Sequence, residues 1–313
     1  MKTLLILLIA LSTSVTAQTT KTVSETIEPE KNEGSDKADE LITNRRFRAS
    51  NGSLSALSLN LAMSYLGGNL QTPLSADRPN LNSAGDTASL SAISGTINGS
   101  YRLTKVDRIG FGAGLQMLAP LQDDINTDDA RAKKEFDENQ GDLDVFNPMI
   151  SYTRMAKIMG VQTISTTIAT GYTAGNLTDA GYDYALETNL NTMYDFGGSP
   201  FSVGALLVYR RNFFDDDDSS LASDQLEQVF GFLPQAEYVI NDTFNLRTII
   251  RSNWYDQNRA NTSKIRTRNI TQSVGLGISV SRDVFLYPNI QFVNEDFTAE
   301  NTNVGFTANI NMF

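Results

Sequence analysis

The chain has 313 residues and contains neither cysteine nor histidine. Without cysteine it cannot form a disulfide, a thiolate nucleophile, a zinc knuckle or a lipoprotein anchor. Without histidine it cannot form a Ser-His or Cys-His catalytic pair, an imidazole metal site or a histidine pH switch. We therefore expect no enzyme of these classes, no metal and no other cofactor.

Positive charge and long apolar runs are also scarce. Lys and Arg number 25 against 36 Asp and Glu, and the formal net charge is −11. This acidic balance argues against binding of nucleic acid, whose phosphates need clustered Lys and Arg. The apolar run Leu4–Leu11 is too short for a transmembrane helix, which needs roughly 20 residues. Apolar residues still make up 40% of the chain, so its composition is not that of a disordered protein.

The N-terminus has the pattern of a secretory signal peptide. Lys2 precedes the apolar run, and Val15, Thr16 and Ala17 form a small-residue cleavage site. The prediction is a signal peptide at 1–17, which suits export to a bacterial envelope. Residues 18–53 are polar and charged with few aromatics, which predicts a flexible periplasmic segment. A partial plug or a periplasmic contact is the functional alternative for this segment.

From residue 54 to 313 the hydrophobic pattern has a period of two, which is typical of β-strands. One example is Tyr182, Tyr184 and Leu186, which alternate with Asp183 and Glu187. We count about twelve strands, with 10–14 compatible with the pattern. Their predicted starts lie near residues 55, 88, 108, 147, 161, 182, 201, 228, 243, 265, 284 and 303. Many of these segments reach the roughly 9–11 residues that a tilted strand needs to cross a membrane.

The connections between these strands alternate in length. Tight turns are predicted at 104–107, 156–160, 197–200, 241–242 and 281–283, and longer polar loops follow the other strands. Short turns at one end and long loops at the other are typical of an up-and-down transmembrane barrel. An even strand count puts both termini on the periplasmic side and the long loops outside.

A soluble β-sandwich is the competing fold, because its strands also alternate. Three features disfavour it: the length of the strands, the charges and amides on their polar face, and the clustering of Tyr and Trp near strand ends. Tyr194, Tyr209, Tyr238 and Trp254 are examples of the last feature, which is expected of an aromatic girdle at a membrane interface. The sequence therefore favours an all-β, antiparallel transmembrane β-barrel over residues 54–313.

The C-terminal strand is similar to the closing strand of bacterial outer-membrane proteins. Val304, Phe306, Ala308 and Ile310 share one face, and the chain ends on an aromatic residue, Phe313. The match is partial, because Phe313 falls on the phase opposite to the apolar face. The resemblance is to the broad porin-like class of outer-membrane barrels and to no single family within it. It implies contact with outer-membrane lipid, lipopolysaccharide and the barrel-assembly machinery, and it leaves the oligomeric state open.

Inward-facing charges are the best candidates for a functional site. By phase, six charged residues face the interior of the barrel: Arg102, Glu187, Arg210, Glu237, Arg247 and Arg251. The hairpin at 197–200 can place Glu187 opposite Arg210, and the turn at 241–242 can place Glu237 near Arg247. These charges either form a constriction that sorts solutes or form salt bridges that close the interior.

The predicted outer loops are acidic, and the clearest run is Asp215, Asp216, Asp217 and Asp218. Carboxylate-rich loops can bind Ca²⁺ or engage lipopolysaccharide through divalent ions. The run does not have EF-hand spacing, and a solvated loop of mutually repelling charges is the simpler interpretation.

These observations favour a passive channel for small hydrophilic solutes in the bacterial outer membrane. A non-conducting structural or surface-interaction barrel is the main alternative, and a transporter of hydrophobic molecules is a further one. Enzymatic activity is not expected, because the barrel phospholipase and the omptin proteases both need a histidine. Asp183 and Glu187, four positions apart on a strand, would be about 13 Å apart, which is too far for a glycosidase pair.

Overall fold

The computed structural model describes residues 41–50, 55–81, 89–122, 125, 133–134, 136–137, 141–173, 178, 180–215, 225–260, 265–267 and 269–312. The predicted signal peptide at 1–17 and the terminal Phe313 lie outside these residues. Among the described residues, none of the helices has the length and apolar character to span a membrane.

The described residues are mainly β-structure, and a short helix, α1 (Arg45–Ser50), precedes the first strand. The strands are β1 (Leu57–Asn69), β2 (Asp77–Arg78), β3 (Ser89–Leu90), β4 (Ala92–Arg102), β5 (Asp107–Leu118), β6 (Leu143–Ile158), β7 (Val161–Gly171), β8 (Tyr182–Asp195), β9 (Phe201–Phe214), β10 (Leu226–Val239), β11 (Phe244–Asn258), β12 (Ile265–Thr267), β13 (Thr271–Ser279), β14 (Val284–Val293) and β15 (Asn303–Asn311). The two-residue strands β2 and β3 pair with each other within the loop that connects β1 to β4.

The long strands form one closed antiparallel barrel. Each long strand pairs with the next one along the chain, and β1 closes the ring by pairing with β15, where Leu61 lies opposite Ile310. The short strand β12 and the strand β13 pair with successive parts of β11. Together they occupy one strand position in the ring, so the barrel has twelve strand positions. The predicted fold is confirmed, and among the described residues each long strand has a paired neighbour on both sides.

The predicted alternation of connections is also present. The tightest turn joins β6 to β7 through Met159 and Gly160, whose φ angles are 51° and 84°. A two-residue turn with two positive φ angles matches the right-handed twist of the strands it joins, and glycine adopts such an angle without steric cost. This turn lies at the same end of the barrel as those after β4, β8, β10 and β13, which we call the tight-turn end. The long loops lie at the other end.

The two faces of the barrel differ in chemistry. The outward face carries large apolar side chains in exposed positions, including Phe111, Ile150, Leu186, Tyr209, Phe230, Tyr238, Leu246 and Phe306. Such an extensive exposed apolar surface is rare on a protein that is surrounded by water. It fits an environment in which lipid covers this face.

One pair of residues departs from the predicted alternation. Tyr182 and Tyr184 were expected on the same face, but Tyr182 is only 3% exposed whereas Tyr184 is 41% exposed. The pairing of β8 with β9 shifts register between these two tyrosines. A β-bulge at this point adds one residue to β8 and reverses the phase of the alternation.

Residues 41–50 lie inside the barrel at the tight-turn end. The backbone nitrogen of Asn44 donates to Gln162 Oε1 on β7 at 2.7 Å, and Asn311 Nδ2 on β15 donates to the carbonyl oxygen of Ala49 at 2.7 Å. β7 and β15 are on opposite sides of the ring. Residues 41–50, the described part of the segment 18–53 that was predicted to be flexible, thus have partners on strands that are distant in sequence.

Candidate functional site

The interior surface of the barrel, which we call the lumen, is lined largely by buried polar side chains. Its uncharged polar members include Ser64, Ser94, Gln116, Gln162, Asn189, Asn191, Asn212, Gln235, Asn245, Ser273, Asn289 and Asn309. Apolar side chains also face the lumen, and Leu206, Val208, Val229, Leu233 and Ile249 belong to one cluster. The lumen is therefore polar in most places, and it is narrow enough that the side chains lining it are buried.

Glu187 and Arg210 form a buried ion pair on one wall of the lumen. They lie directly opposite each other in the pairing of β8 with β9. Arg210 Nε donates to Glu187 Oε2 at 2.6 Å, and Asn189 Nδ2 donates to Glu187 Oε1 at 2.7 Å. Glu187 is 4% exposed and Arg210 is 7% exposed. Each charge is compensated by the other, so the pair links two strands and contributes no net charge to the lumen.

Glu237 is the centre of a second charged group, nearer the tight-turn end. Arg247 lies opposite it in the pairing of β10 with β11, and Arg247 Nε is 3.4 Å from Glu237 Oε1. Arg46 of α1 is closer, with its Nε at 3.1 Å from the same oxygen. Asn44 Nδ2 donates to Glu237 Oε2 at 2.9 Å. Two guanidinium groups thus share one carboxylate, and the group has an excess of one positive charge.

Arg251 adds a further positive charge to the lumen, nearer the long-loop end. It lies two residues beyond Ile249 on β11, and its Nη1 donates to Ser273 Oγ at 3.3 Å. In the loop above it, Arg78 Nη2 donates to Gln291 Oε1 at 3.3 Å. Burial and the nearby charge of Arg251 lower the pKa of Arg78 to about 10. Arg78 therefore stays cationic near neutral pH, and the guanidinium groups of Arg78 and Arg251 give this side of the lumen a positive potential.

Arg102 is the last residue of β4, at the tight-turn end, and it is half-buried. It lies opposite Arg108 in the pairing of β4 with β5. Arg108 is 4% exposed and its Nη1 donates to the hydroxyl oxygens of Ser58 at 2.8 Å and Ser100 at 3.3 Å. The six candidate residues are therefore distributed along the lumen, in pairs or groups, instead of meeting in one ring.

Sequence reasoning did not single out four lumen residues that complete this arrangement. They are Arg46, Arg78, Arg108 and Tyr287, whose ring lies under the Arg247 guanidinium at 4.8 Å. The alternation of β5 and β14 could have indicated the inward direction of Arg108 and Tyr287. Arg46 and Arg78 lie outside the long strands, so their position depends on how their segments fold into the barrel.

The acidic outer loop is described only at its first residue. Asp215 follows β9 directly and is exposed, whereas Asp216, Asp217 and Asp218 lie outside the described residues. Within the part of the chain that the structure describes, no group of three acidic side chains is placed to hold a metal ion. Binding of Ca²⁺ or lipopolysaccharide by this loop remains a prediction.

Comparison with known proteins gives likenesses of shape at low sequence identity. No family profile and no curated sequence matches the chain. Among solved structures, an outer membrane channel from Pseudomonas putida F1 has 11% identity and a TM-score of 0.48, and the match covers 83% of this chain and 96% of that one. The NanC porin has 9% identity and a TM-score of 0.43, with 81% and 97% covered. The KdgM porin has 8% identity and a TM-score of 0.40, again with 81% and 97% covered.

Proposed function

We propose that this protein is a passive channel for small hydrophilic solutes in the bacterial outer membrane. The observation that carries the proposal is the contrast between the two faces of the closed barrel. Apolar and aromatic side chains cover the outside, where lipid would lie, and amides, hydroxyls and charges line the inside. A polar interior surrounded by an apolar exterior is the arrangement of a water-accessible channel through a bilayer.

The charges of the lumen bear on which solutes would pass. Arg46, Arg78, Arg247 and Arg251 lie on one side of the lumen, and among the described side chains Glu237 is the carboxylate that contacts two of them. Charged side chains at a constriction select against ions of their own sign. The proposal therefore includes a preference for anionic over cationic solutes, although the whole chain is acidic.

A non-conducting structural barrel is the second candidate, and one observation favours it. The apolar cluster around Val208 and Leu233 and the buried pair Glu187–Arg210 occupy the lumen with side chains. Barrels of about eight strands are filled in this way, whereas porins with 16–18 strands leave an aqueous channel. Twelve strands lie between these two cases, so the size of the barrel does not decide between the candidates.

Conductance of the refolded barrel in a planar lipid bilayer separates the two candidates. We expect discrete current steps at constant voltage, with a reversal potential in a KCl gradient that indicates anion preference. Absence of steps over a range of voltages would refute the channel, provided that the sample is shown to be folded. Folding is checked independently in detergent gels, where the unheated, folded barrel migrates differently from the heat-unfolded chain. A heat-unfolded sample of the same preparation is the control for detergent artefacts.

A further inference from the structure

The segment 41–50 occupies a docking site that the lumen provides at the tight-turn end. Ile42 is 1% exposed and Phe47 is fully buried. They pack in one cluster with Met155 of β6, Ile164 of β7 and Met193 of β8. Three apolar side chains on adjacent strands therefore face the lumen at the tight-turn end. Their presence is explained by the two apolar side chains that they receive.

The opposite wall is shaped to receive the end of the same segment. Ala49 is fully buried and packs in one cluster with Phe285 and Tyr287, two aromatic side chains of β14 that face the lumen. Gly277 of the neighbouring strand β13 leaves room for this arrangement. A Cβ atom at that position would lie 2.9 Å from Phe285 Cε2, closer than real side chains approach. The lumen thus has complementary apolar surfaces on both sides of the segment.

Polar contacts fix the segment between these two surfaces. Arg46 is fully buried beside Glu237, and Arg45 Nη2 is 2.6 Å from Asp242 Oδ1 in the turn after β10. Thr43 Oγ1 donates to Asp195 Oδ2 at 2.9 Å. The segment therefore presents cations where the tight-turn end presents carboxylates. This match of charge, added to the match of apolar surface, identifies the lumen as the binding partner of the segment.

The helix of this segment is held by its surroundings and can leave without breaking the barrel. It has six residues, far fewer than the roughly 12–15 that an isolated helix needs in water. Asn44 caps it, since its Oδ1 accepts from the backbone nitrogen of Phe47 at 3.1 Å. None of its residues belongs to a strand of the barrel, so its departure removes no pairing of the closed ring.

The segment is tethered at the end from which it would leave. Six residues, 51–56, separate α1 from the first residue of β1, Leu57. Leu57 pairs with Tyr101 beside the turn after β4, so β1 begins at the tight-turn end. A short tether keeps the local concentration of a displaced segment in the millimolar range, which favours rapid return. Because of this tether, a segment released through the tight-turn end can return to its site.

We propose that residues 41–50 are a removable plug that narrows the tight-turn end of the lumen and widens it when displaced. This inference rests on the proposed channel function and adds a regulatory device to it. The plug also carries Arg45, Arg46 and Arg48, so its displacement removes three positive charges from the mouth. The open channel is therefore wider at this end and less anion-selective than the plugged one.

The first test compares the intact chain with a chain that lacks residues 41–50, both refolded into planar bilayers. We expect the shortened chain to give steps that are larger by about twofold or more, because the segment fills the mouth between opposite walls. We also expect its reversal potential to move towards cations. Both chains are first shown to be folded by gel mobility without heating.

The second test locks the plug in the full-length chain. Since the chain has no native cysteine, the double variant Thr43→Cys/Asp195→Cys carries two unique thiols. A short bismaleimide with a central disulfide bridges them and is cleaved again by reductant. The matched control is Ser202→Cys/Asp195→Cys, because Ser202 Oγ donates to Asp195 Oδ1 at 2.8 Å within the wall of the barrel. The control loses the same carboxylate but bridges wall to wall.

The outcomes separate the plug from the channel. Low current in the bridged Thr43/Asp195 variant, restored by reductant and unaffected in the control, supports the plug. Equal currents from the intact, shortened and bridged chains overturn the plug and leave the channel standing. Absence of current from the folded shortened chain overturns the channel, and the plug with it. If the shortened chain does not fold, the full-length variant Ile42→Ser/Phe47→Ser replaces it, with the same expected increase in current.

Discussion

Replacing Glu187 by glutamine tests whether the paired charges of the lumen are structural. Glu187→Gln keeps the size of the side chain and removes its charge, which leaves Arg210 as a buried cation without its carboxylate. Glu187 is 4% exposed, and both of its oxygens accept hydrogen bonds, from Arg210 and from Asn189. Water has little access to this position, so it cannot replace the lost partner.

The expected loss of stability follows from this burial. Breaking a buried ion pair by removing one partner costs about 3–5 kcal/mol, because the remaining charge is uncompensated. Arg210→Met should cost a similar amount, since it leaves Glu187 with Asn189 alone. The double variant Glu187→Leu/Arg210→Met removes both charges together. We expect its stability to lie within about 1 kcal/mol of the parent chain, because apolar replacement of a buried pair is often neutral.

Equilibrium unfolding by urea in lipid vesicles measures these differences, with the tryptophan fluorescence of the single Trp254 as the signal. The matched control is Glu227→Gln, which breaks the neighbouring pair of Arg211 and Glu227, whose nitrogen and oxygen are 3.3 Å apart. In this pair the arginine side chain is 52% exposed. An exposed pair contributes about 0–1 kcal/mol, so this variant should be nearly neutral.

Two results would refute the reasoning. One is a loss below about 1 kcal/mol for Glu187→Gln, which would mean that the lumen is wet enough to solvate Arg210. The other is a double variant whose loss equals the sum of the two single losses, because independent sites add and coupled sites do not. The first result would mean that water reaches this pair in the wall, and the second would show that the two residues are not energetically coupled.

The remaining predictions concern selectivity and orientation. Arg251→Glu should move the reversal potential towards cations by on the order of 10 mV in a tenfold KCl gradient, where full selectivity gives about 59 mV. The outward-facing Arg211→Glu should leave it unchanged, and equal shifts would remove Arg251 from the ion path. For orientation, Asp215→Cys should react with a membrane-impermeant maleimide on intact cells, because long loops face outside. Ser199→Cys, in a tight turn, should react only after permeabilisation, and the reverse pattern would mean an inverted topology.

The structure changes the interpretation of one candidate residue. Reversal of Arg210 would be a natural test of ion selectivity if this arginine stood alone in a constriction. Its guanidinium instead pairs with Glu187 inside the wall. We therefore expect substitutions at Arg210 to act first on stability, whereas Arg251, which contacts Ser273 through a 3.3 Å hydrogen bond, is the better position for a selectivity test.

Much of the barrel could be predicted because its signal is local. A strand exposes successive side chains to opposite faces, so a membrane and a polar lumen impose a period of two on every strand. Turn residues such as Gly160 mark the ends of the strands in the same direct way. The pairing of Glu187 with Arg210 follows from strand alternation and the length of one hairpin. These features need no knowledge of distant parts of the chain.

Departures from regular strands could not be predicted in this way. The bulge that separates Tyr182 from Tyr184 inserts one residue without a turn signal and moves one ring into the lumen. The strand predicted near residue 265 is interrupted, so that β12 and β13 occupy one strand position next to β11. Each of these changes depends on how neighbouring strands accommodate the curvature of a closed barrel.

By itself, the sequence determined that the chain is a barrel of about twelve strands with an apolar outside, a charged inside and no histidine or cysteine chemistry. Only the tertiary structure decided what the segment 41–50 does. Most of its residues are polar and few are apolar, and from the sequence alone such a composition predicts flexibility. Ile42 and Phe47 are buried against Met155, Ile164 and Met193 on one wall, and Ala49 is buried against two aromatic side chains of β14 on the opposite wall. These two walls face each other only when the ring closes. A site assembled from strands that are distant in sequence leaves no local pattern to read.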